Sequence, residues 1–403
     1  MKKLIAIALA LLMLISIAAC GNDAATSTPT PSASTPSAPS EPSENGGTTP
    51  DSSAGGSESV GWYPDALEAS KNRESYTIAY ISIAMTDQLH SALNIALKEW
   101  CEKLNCEYVS YDAKGDYDAF MSGVETYASQ GIDGLIIDVD VSAQTRTRQI
   151  CEENNVAWFP AMSPFMDDAQ EFYVAPSVVL DSYNCGQNQV DWMFGNYQSE
   201  LGIGETDAAN IGYLFLDWSP HPEIHLRTTG ATNRYTELHP DLADSNWLAI
   251  DVLPGGPDNF EGAFDLVSAH LSTNGDQFDY WFIGSSTDEF AIGATRAVEQ
   301  LGMEDRCMIS AIMGGSVIDT WMTGYNGAWK SLITVPLVEL AEPMLCGLLA
   351  ILDGRATYES LWQDSVPAGQ TYGVIDFPPK IFTYDNREEY WQSVDAWIAH
   401  TYG

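Results

Sequence analysis

Residues 76–90 decide the fold of this chain, and they read Tyr-Thr-Ile-Ala-Tyr-Ile-Ser-Ile-Ala-Met-Thr-Asp-Gln-Leu-His. The apolar run at 77–83 predicts a buried strand, and the turn at 84–87 separates that strand from a helix. In open α/β sheets a ligand binds in the crevice outside the carboxyl ends of the strands. We therefore expect Asp87, Gln88 and His90 to face a binding cleft.

Strands and helices alternate along the rest of the chain. Apolar strands at 106–111, 135–137 and 156–159 are separated by helical patterns at 116–130 and 145–154. A second set of similar size follows: helix 182–199, strand 209–216, helix 227–238, strand 249–252, helix 260–272, strand 280–283, helix 289–301, strand 308–313 and helix 318–325. Continuous apolar strands between helices indicate parallel sheets covered on both faces. Two such sets predict two lobes with a ligand cleft between them.

The first twenty residues have the pattern of an export signal. Lys2 and Lys3 precede an apolar run at 4–17, and small residues precede Cys20. This pattern fits a secretory signal better than a spanning helix. The segment resembles the lipobox of bacterial lipoproteins, which implies cleavage before Cys20, palmitate-type lipid on that residue and anchoring to the cell membrane outside the cytoplasm. The alternative is an ordinary signal peptide with a chance cysteine.

Residues 21–74 are predicted to be a disordered tether. The part from 21 to 59 is Ser, Thr, Pro, Gly and Ala with scattered acids, and it lacks aromatic residues, Lys and Arg. Such a composition cannot bury enough apolar surface to offset the conformational entropy lost on folding. The net charge of −39 argues against a nucleic-acid partner, because phosphate binding needs a basic surface.

Six cysteines follow the lipobox, and none has the spacing of a metal site. They are Cys101, Cys106, Cys151, Cys185, Cys307 and Cys346. We expect mostly buried free thiols, with room for one or two disulfide bridges. Two histidines four apart, His221 and His225, are interpreted as part of a helix start rather than as a metal site. We expect neither a metal nor a cofactor.

Three motifs resemble the type I, sugar-binding family of periplasmic binding proteins, the solute-binding components of ABC importers. The first runs from Tyr111, YDAKGDYDAFMSGVETYASQGIDGLIID, and contains the family's Gly-(Val/Ile)-Asp-Gly turn before the third strand. The second is SSTDEFAIGATRAVEQLG from Ser285, and the third is LDSYNCGQ from Leu180. The resemblance covers roughly residues 76–358. It implies two Rossmann-like α/β lobes with parallel sheets, joined by a three-stranded hinge.

The resemblance also implies where a ligand would bind. Asp87, Gln88 and His90 occupy the family's first ligand loop, although the two aromatic residues usual there are missing. Arg227 matches the Arg of an Arg-x-x-Gly element, and a guanidinium suits vicinal hydroxyls or a carboxylate. Thr287 and Asp288 match an Asn-Asp pair. For His90 and Arg227 a surface position on a helix is the alternative, and for Asp288 the alternative is a helix cap.

Other expected cleft residues differ from the family pattern. Met162 follows Ala161 where the family commonly has Asp-Arg, and Met313 ends Ala-Ile-Met where it has Gly-Phe-Asp. Trp218, Phe165 and Trp321 are therefore candidates to line the cleft. Asp138 follows the third strand together with Asp140, but nothing in the sequence fixes the carboxylate separation that glycoside hydrolysis requires. These differences favour an unusual sugar, a cyclitol or a less polar metabolite.

The predicted organisation is a signal at 1–20, a tether at 21–74, a first lobe at 75–179 plus 336–362, and a second lobe at 180–335 plus 363–403. An amphipathic helix at 384–400 is expected to pack on the second lobe. We interpret the chain as a monomeric, non-enzymatic, lipid-anchored protein that delivers a sugar or related polyol to an ABC permease. The alternatives are a sensory protein that presents its ligand to a membrane receptor and, with less support, a surface hydrolase.

Overall fold

The computed structural model of the chain describes residues 60–85, 88–139, 141–252 and 259–403. The predicted signal peptide, Cys20 and most of the predicted tether lie outside these residues, as do Asp87 and Asp140. The described residues all belong to one structural unit, Thr48–Gly403. None of the described helices is long and apolar enough to span a membrane.

The first sheet has four parallel strands. They are β1 (Tyr76–Ser82), β2 (Cys106–Asp112), β3 (Gly134–Asp138) and β4 (Ala157–Pro160), in the order β2-β1-β3-β4. The register pairs Ser82 with Asp112 and with Asp138, so the carboxyl ends of three strands meet at one edge. β3 is buried along its whole length, which explains its continuous apolar sequence.

Helices cover both faces of this sheet. They include α2 (Gln88–Lys103), α3 (Tyr117–Ser129) and α4 (Val141–Asn154), while the preceding helix α1 (Tyr63–Ser70) packs mainly on a later helix of the chain. In α2, Leu93, Leu97 and Trp100 are buried, as the helical spacing predicts. Asn105 ends this segment in the left-handed conformation, with φ of 53°, a conformation that Asn tolerates better than most residues. Asp116 caps α3 by accepting a hydrogen bond from Ala119 N at 3.0 Å.

The second sheet has six strands, and its central strands are parallel. The elements after β4 include this sheet, its helices and two strands, β5 and β11, that form a separate sheet between the lobes. In chain order they are β5 (Ser177–Leu180), α5 (Ser182–Leu201), β6 (Ile211–Asp217), α6 (Pro222–Leu238), α7 (Ala243–Asn246), β7 (Trp247–Asp251), α8 (Asn259–Asn274), β8 (Tyr280–Ser285), α9 (Asp288–Leu301), β9 (Cys307–Ile312), α10 (Ser316–Met322), β10 (Trp329–Thr334), α11 (Leu337–Leu352), β11 (Val374–Phe377), β12 (Lys380–Thr383) and α12 (Val394–Thr401). The strand order is β12-β10-β9-β8-β6-β7, with β12 antiparallel to β10.

Three chain segments connect the two sheets. β5 and β11 pair in parallel and form a separate two-stranded sheet. The third segment is the short link from β10 to α11, a helix buried from Leu337 to Ala350 that packs on α2, β3 and β4. The predicted α/β class, with parallel sheets in two lobes, is confirmed. The lobe boundaries at 179/180, 335/336 and 362/363 stay predictions.

Two expectations near the chain ends are wrong. Part of the predicted tether is the helix α1, in which Pro64 occupies the first turn and Ala66 is buried against α11. The predicted helix at 384–400 starts only at Val394 and packs against α2 and α11 of the first lobe, not on the second. An amphipathic pattern predicts a helix with one apolar face, but it does not say which surface that face covers.

Candidate functional site

The two lobes meet at a hydrogen bond from Gln88 to Asp319. Gln88 is the first residue of α2, directly after the loop that leaves β1, and Asp319 lies in α10 of the second lobe. Gln88 Nε2 donates to Asp319 Oδ2 at 2.5 Å. The predicted cleft residue Gln88 thus lies where the carboxyl edges of both sheets face each other. Its neighbour Asp87 lies outside the described residues.

A polar cluster occupies the carboxyl edge of the first sheet. Asp138 ends β3 and is 8% exposed. Its Oδ2 accepts from Ser82 Oγ at 3.1 Å and lies 2.7 Å from His90 Nε2. A carboxylate in this position is held by partners from β1 and α2, so the structure brings together two residues that the sequence assigned to the site. Ser82 belongs to the same cluster and was not predicted.

Asp112, at the end of β2, fixes the first loop next to this cluster. Its Oδ1 accepts from Met85 N at 3.0 Å and from Lys114 N at 2.9 Å. The loop after β1 is therefore tied to the neighbouring strand on the side away from β3. Sequence reasoning missed Asp112, although its place directly after an apolar strand is the signal that identified Asp138.

Met162 and Met313 both have left-handed backbones just after strand ends. Met162 follows β4 with φ of 57°, and Met313 follows β9 with φ of 66°. This conformation is disfavoured for a side chain of this size, and such strained positions tend to cluster at functional sites. The Met313 N–H donates to Ile333 O at 2.9 Å, which holds its loop against β10. Both residues follow strands at the carboxyl edges of their sheets and pack on the same apolar cluster, and contact of either with a ligand stays a prediction.

Arg227 is buried in the second lobe beneath the loop that follows β8. It is 8% exposed, and its Nη1 donates to Ser286 O at 2.6 Å while Nε donates to Ser182 Oγ at 3.5 Å. Burial lowers the pKa of the Arg227 guanidinium, and the neighbouring Glu223 and Asp288 carboxylates act against that effect. The alternative of a surface position on α6 is therefore wrong. A buried cation beside the loop at a strand end is suited to hold an electron-rich ligand group.

Thr287 and Asp288, at the start of α9, hydrogen-bond to different parts of the second lobe. Thr287 is the N-cap, and its hydroxyl accepts from Phe290 N at 3.4 Å. Asp288 Oδ2 accepts from Gly315 N at 3.1 Å, Ser316 N at 3.2 Å and Ser316 Oγ at 2.5 Å, so it holds the start of α10. Asp288 therefore positions the helix that carries Asp319. Direct contact of either residue with a ligand stays a prediction.

Asp217, which the sequence did not single out, organises the loop around Trp218. Its Oδ1 accepts from Trp218 N at 2.7 Å and Thr228 Oγ1 at 2.5 Å, and its Oδ2 lies 2.8 Å from His225 Nδ1. Trp218 is half-buried at the end of β6, with its ring 5.5 Å from that of His221.

Within the part of the chain that the structure describes, no cluster of three or more His, Cys, Asp or Glu side chains could hold a metal ion.

Two aromatic residues suggested as lining residues do not line the cleft. Phe165 and Trp321 are each 1% exposed. Phe165 packs on Trp158 at a ring distance of 5.1 Å, and Trp321 belongs to the core of the second lobe. Their apolar surface is used for lobe packing, which a sequence pattern does not distinguish from ligand stacking.

The fold is that of type I periplasmic binding proteins. A periplasmic solute-binding protein from Actinobacillus succinogenes with bound D-allose superposes with a TM-score of 0.58 at 15% identity, over 78% of this chain and 100% of the other. The myo-inositol-binding protein of Caulobacter gives 0.59 at 14% identity, over 79% and 96%. A 5-methylthioribose transporter solute-binding protein from Thermotoga lettingae gives 0.59 at 13% identity, over 82% and 92%.

Comparison by sequence gives no such relationship. No protein-family model matches the chain. No curated protein matches it either. At 13–15% sequence identity, the structural likeness shows that the chain has the two-lobed fold that its sequence motifs predict. It does not identify the ligand of this chain.

Proposed function

We propose that this protein is an extracytoplasmic solute-binding protein that captures a sugar or related polyol between its lobes. The observation that carries the proposal is the approach of two polar sheet edges, joined by the hydrogen bond from Gln88 to Asp319. Ligands of open α/β sheets bind at that edge. A ligand held there contacts both lobes, so its binding stabilises the conformation in which the lobes are closed.

The polar groups at the edge suit hydroxyl groups. Asp138 and Asp319 offer carboxylate oxygens that accept from hydroxyls, and Arg227 and His90 bring nitrogen groups that donate to hydroxyl oxygens. Of these residues only His90 carries a ring, so stacking on a sugar face contributes less here than hydrogen bonding. A cyclitol or acyclic polyol, which presents hydroxyls and little flat apolar surface, fits this chemistry. Solved proteins of this fold bind D-allose and myo-inositol.

The cellular role rests on the amino-terminal residues together with the fold. The signal-like segment and Cys20 support a lipoprotein held at the outer face of the cell membrane. In that position the closed, loaded protein would dock as a monomer on an ABC permease. We propose neither a nucleic-acid partner nor a cofactor for this acidic chain.

Two other functions are separated from transport by experiment. A sensory protein would have the same fold and the same ligand, so it is recognised by the partner that crosslinks to the loaded protein, a receptor or kinase in place of a permease. A surface hydrolase would convert its ligand. Recovery of the bound compound without any product would exclude that alternative.

A thermal-shift screen tests the proposal. Sugars, cyclitols and polyols, with nucleosides and amino acids as comparison classes, are added to the purified protein at millimolar concentration. A ligand present at about 100 times its dissociation constant adds about 2.7 kcal/mol of apparent stability, enough to raise the melting temperature measurably. We expect a shift within the polyhydroxylated classes. A screen in which no small solute shifts the midpoint would contradict the proposal.

A further inference from the structure

Cys106 differs from the other cysteines of the described residues. It opens β2 and is partly exposed, whereas Cys101, Cys151, Cys185, Cys307 and Cys346 are all buried. Burial raises the pKa of Cys151 and of Cys307 to about 12, and it raises the pKa of Cys185 and of Cys346 as well. These buried thiols are protonated at neutral pH and are poor nucleophiles.

Arg73 lies against the thiol of Cys106. Its Nη2 is 3.5 Å from Cys106 Sγ and also donates to Leu104 O at 2.6 Å, while Nη1 donates to Asn105 O at 3.0 Å. The guanidinium is therefore hydrogen-bonded to the turn between α2 and β2. The interaction with the Cys101 thiol and the positive charge of Arg73 lower the pKa of Cys106, against burial and the Asp353 carboxylate, which raise it. A cation beside a thiol stabilises its thiolate form.

Cys101 is the neighbouring cysteine that could resolve a mixed disulfide formed on Cys106. It is in the last turn of α2, fully buried, and belongs to the apolar cluster against which Cys106 packs from the other side of the turn at Asn105. The neighbouring Cys106 thiol, followed by burial, raises the pKa of Cys101. The pair thus consists of one accessible, activated thiol and one sheltered thiol beside it, the arrangement of an attacking and a resolving cysteine.

We propose that Cys101 and Cys106 form a disulfide by exchange with a small-molecule disulfide, Cys106 attacking and Cys101 resolving. The Cys106 thiolate attacks one sulfur of glutathione disulfide, and the sulfur–sulfur bond of the oxidant breaks to release one glutathione thiolate. Cys101 then loses its proton and attacks the Cys106 sulfur, which releases the second glutathione. Two protein thiols are oxidised, one disulfide is reduced, and the two protons end on the two glutathione molecules.

This modification would lock the turn that Arg73 already holds. Oxidising compartments outside the cytoplasm supply disulfide oxidants, so the reaction accords with an exported protein. It needs no ligand in the cleft, and its test is independent of solute binding.

Peptide mapping of the full-length protein tests the proposal. The native protein is incubated with glutathione disulfide, remaining thiols are blocked with iodoacetamide in denaturant, and the chain is cut with trypsin. Cys101 falls in the peptide 99–103 and Cys106 in the peptide 104–114, because Lys98, Lys103 and Lys114 are cleavage sites. We expect these two peptides to appear linked by a disulfide, with Cys151, Cys185, Cys307 and Cys346 all alkylated.

Variants separate the two roles. Cys101→Ser should retain glutathione on Cys106, since the resolving thiol is gone, and Cys106→Ser should remain unmodified at Cys101. Cys151→Ser is the matched control and should still give the linked pair. The proposal is overturned if the wild-type protein leaves both cysteines alkylated, retains glutathione on Cys106, or links Cys101 to the nearby Cys346. The wild-type map decides the matter even where a variant folds poorly.

Discussion

Gln88 Nε2 of the first lobe donates a hydrogen bond to Asp319 Oδ2 of the second lobe at 2.5 Å. The two residues follow β1 and β9, strands of different sheets that end at facing edges. Because Asp288 holds the start of α10 through Gly315 and Ser316, Asp319 is supported by a second polar contact network within its own lobe. This bond therefore links the conformation of the cleft to groups in both lobes.

The contribution of this bond to closure can be measured with a double-mutant cycle. A typical hydrogen bond contributes about 0.5–1.5 kcal/mol, and solvent exposure keeps the bond from Gln88 to Asp319 in that range, so Gln88→Ala should weaken ligand binding by up to about tenfold. Asp319→Ala should weaken binding at least as much, because it also removes a carboxylate acceptor for the ligand. The double variant should be no weaker than Asp319→Ala alone, since Gln88 acts through its bond to Asp319. Additive losses in affinity would show that the two side chains act separately.

Asp138 should be needed for binding as well as for local structure. Asp138→Ala removes a carboxylate acceptor at the cleft edge, and loss of a charged hydrogen bond of about 1.5–3 kcal/mol weakens binding by about ten- to a hundredfold. The control is Asp133→Ala, at the opposite edge of the same sheet, where Asp133 Oδ2 accepts from Thr77 N at 2.8 Å. Titration calorimetry should show normal affinity in the control. Equal losses in both variants would assign the effect to sheet stability.

Arg227 supplies the corresponding test in the second lobe. Arg227→Ala leaves Ser286 O without its charged donor and removes the cation from the edge, so both the free energy of unfolding and the ligand affinity should fall, the latter by about tenfold or more. Arg306→Ala is the control, because Arg306 also donates to backbone carbonyls, those of Gly275, Phe278 and Asp279, but lies before β9 at the far edge. Unchanged affinity in Arg227→Ala would place the ligand elsewhere.

Much of this arrangement follows from sequence, for a physical reason. Strand and helix periodicities locate the elements, and parallel sheets place their carboxyl ends at one edge, so the sequence alone predicts Gln88, His90 and Asp138 as cleft residues. The bond to Asp319 could not be predicted, because it depends on how two separately folded lobes approach each other. Phe165 and Trp321 were misjudged because buried and ligand-stacking aromatic residues have the same local pattern.

The contacts that hold the first and last helices of the folded part could not be predicted from the sequence either. Glu342 is an acidic residue within an otherwise apolar helix, and it accepts from Tyr63 N at 3.0 Å, Trp397 Nε1 at 2.7 Å and Tyr402 Oη at 2.5 Å. One buried carboxylate thus fastens α1 and α12 to the first lobe. A Glu inside α11 signals an unusual partner, but the partners lie 279, 55 and 60 residues away in the chain.

Glu342 also gives a pH prediction. Burial raises its pKa above 4.5 in the folded protein, so the folded state binds the proton more tightly than the unfolded state. The resulting stability is present below the unfolded pKa and is lost as the pH rises through the folded pKa. The melting temperature of the wild type relative to Glu342→Gln should therefore fall as pH increases from about 4 towards 7.

The difference between the two proteins reports Glu342 together with its effect on Glu339. Burial raises the pKa of Glu339 in both proteins, and the Glu342 carboxylate raises it further in the wild type only, so the two contributions to the difference have the same sign. Glu102→Gln, on the exposed face of α2, is the control, and the fall in the Glu342→Gln comparison should exceed any pH-dependent change that this exposed substitution produces. A constant offset for Glu342→Gln would mean that Glu342 titrates alike in the folded and unfolded chains.

Calorimetric titration of the purified protein with myo-inositol, D-allose and further cyclitols and polyols tests the central claim most directly. We predict one saturable site per chain for a member of these classes, with recovery of the unchanged compound and loss of affinity in both Asp138→Ala and Arg227→Ala. The absence of saturable binding at millimolar concentration, or binding that neither substitution weakens, would contradict capture of a polyol between the lobes.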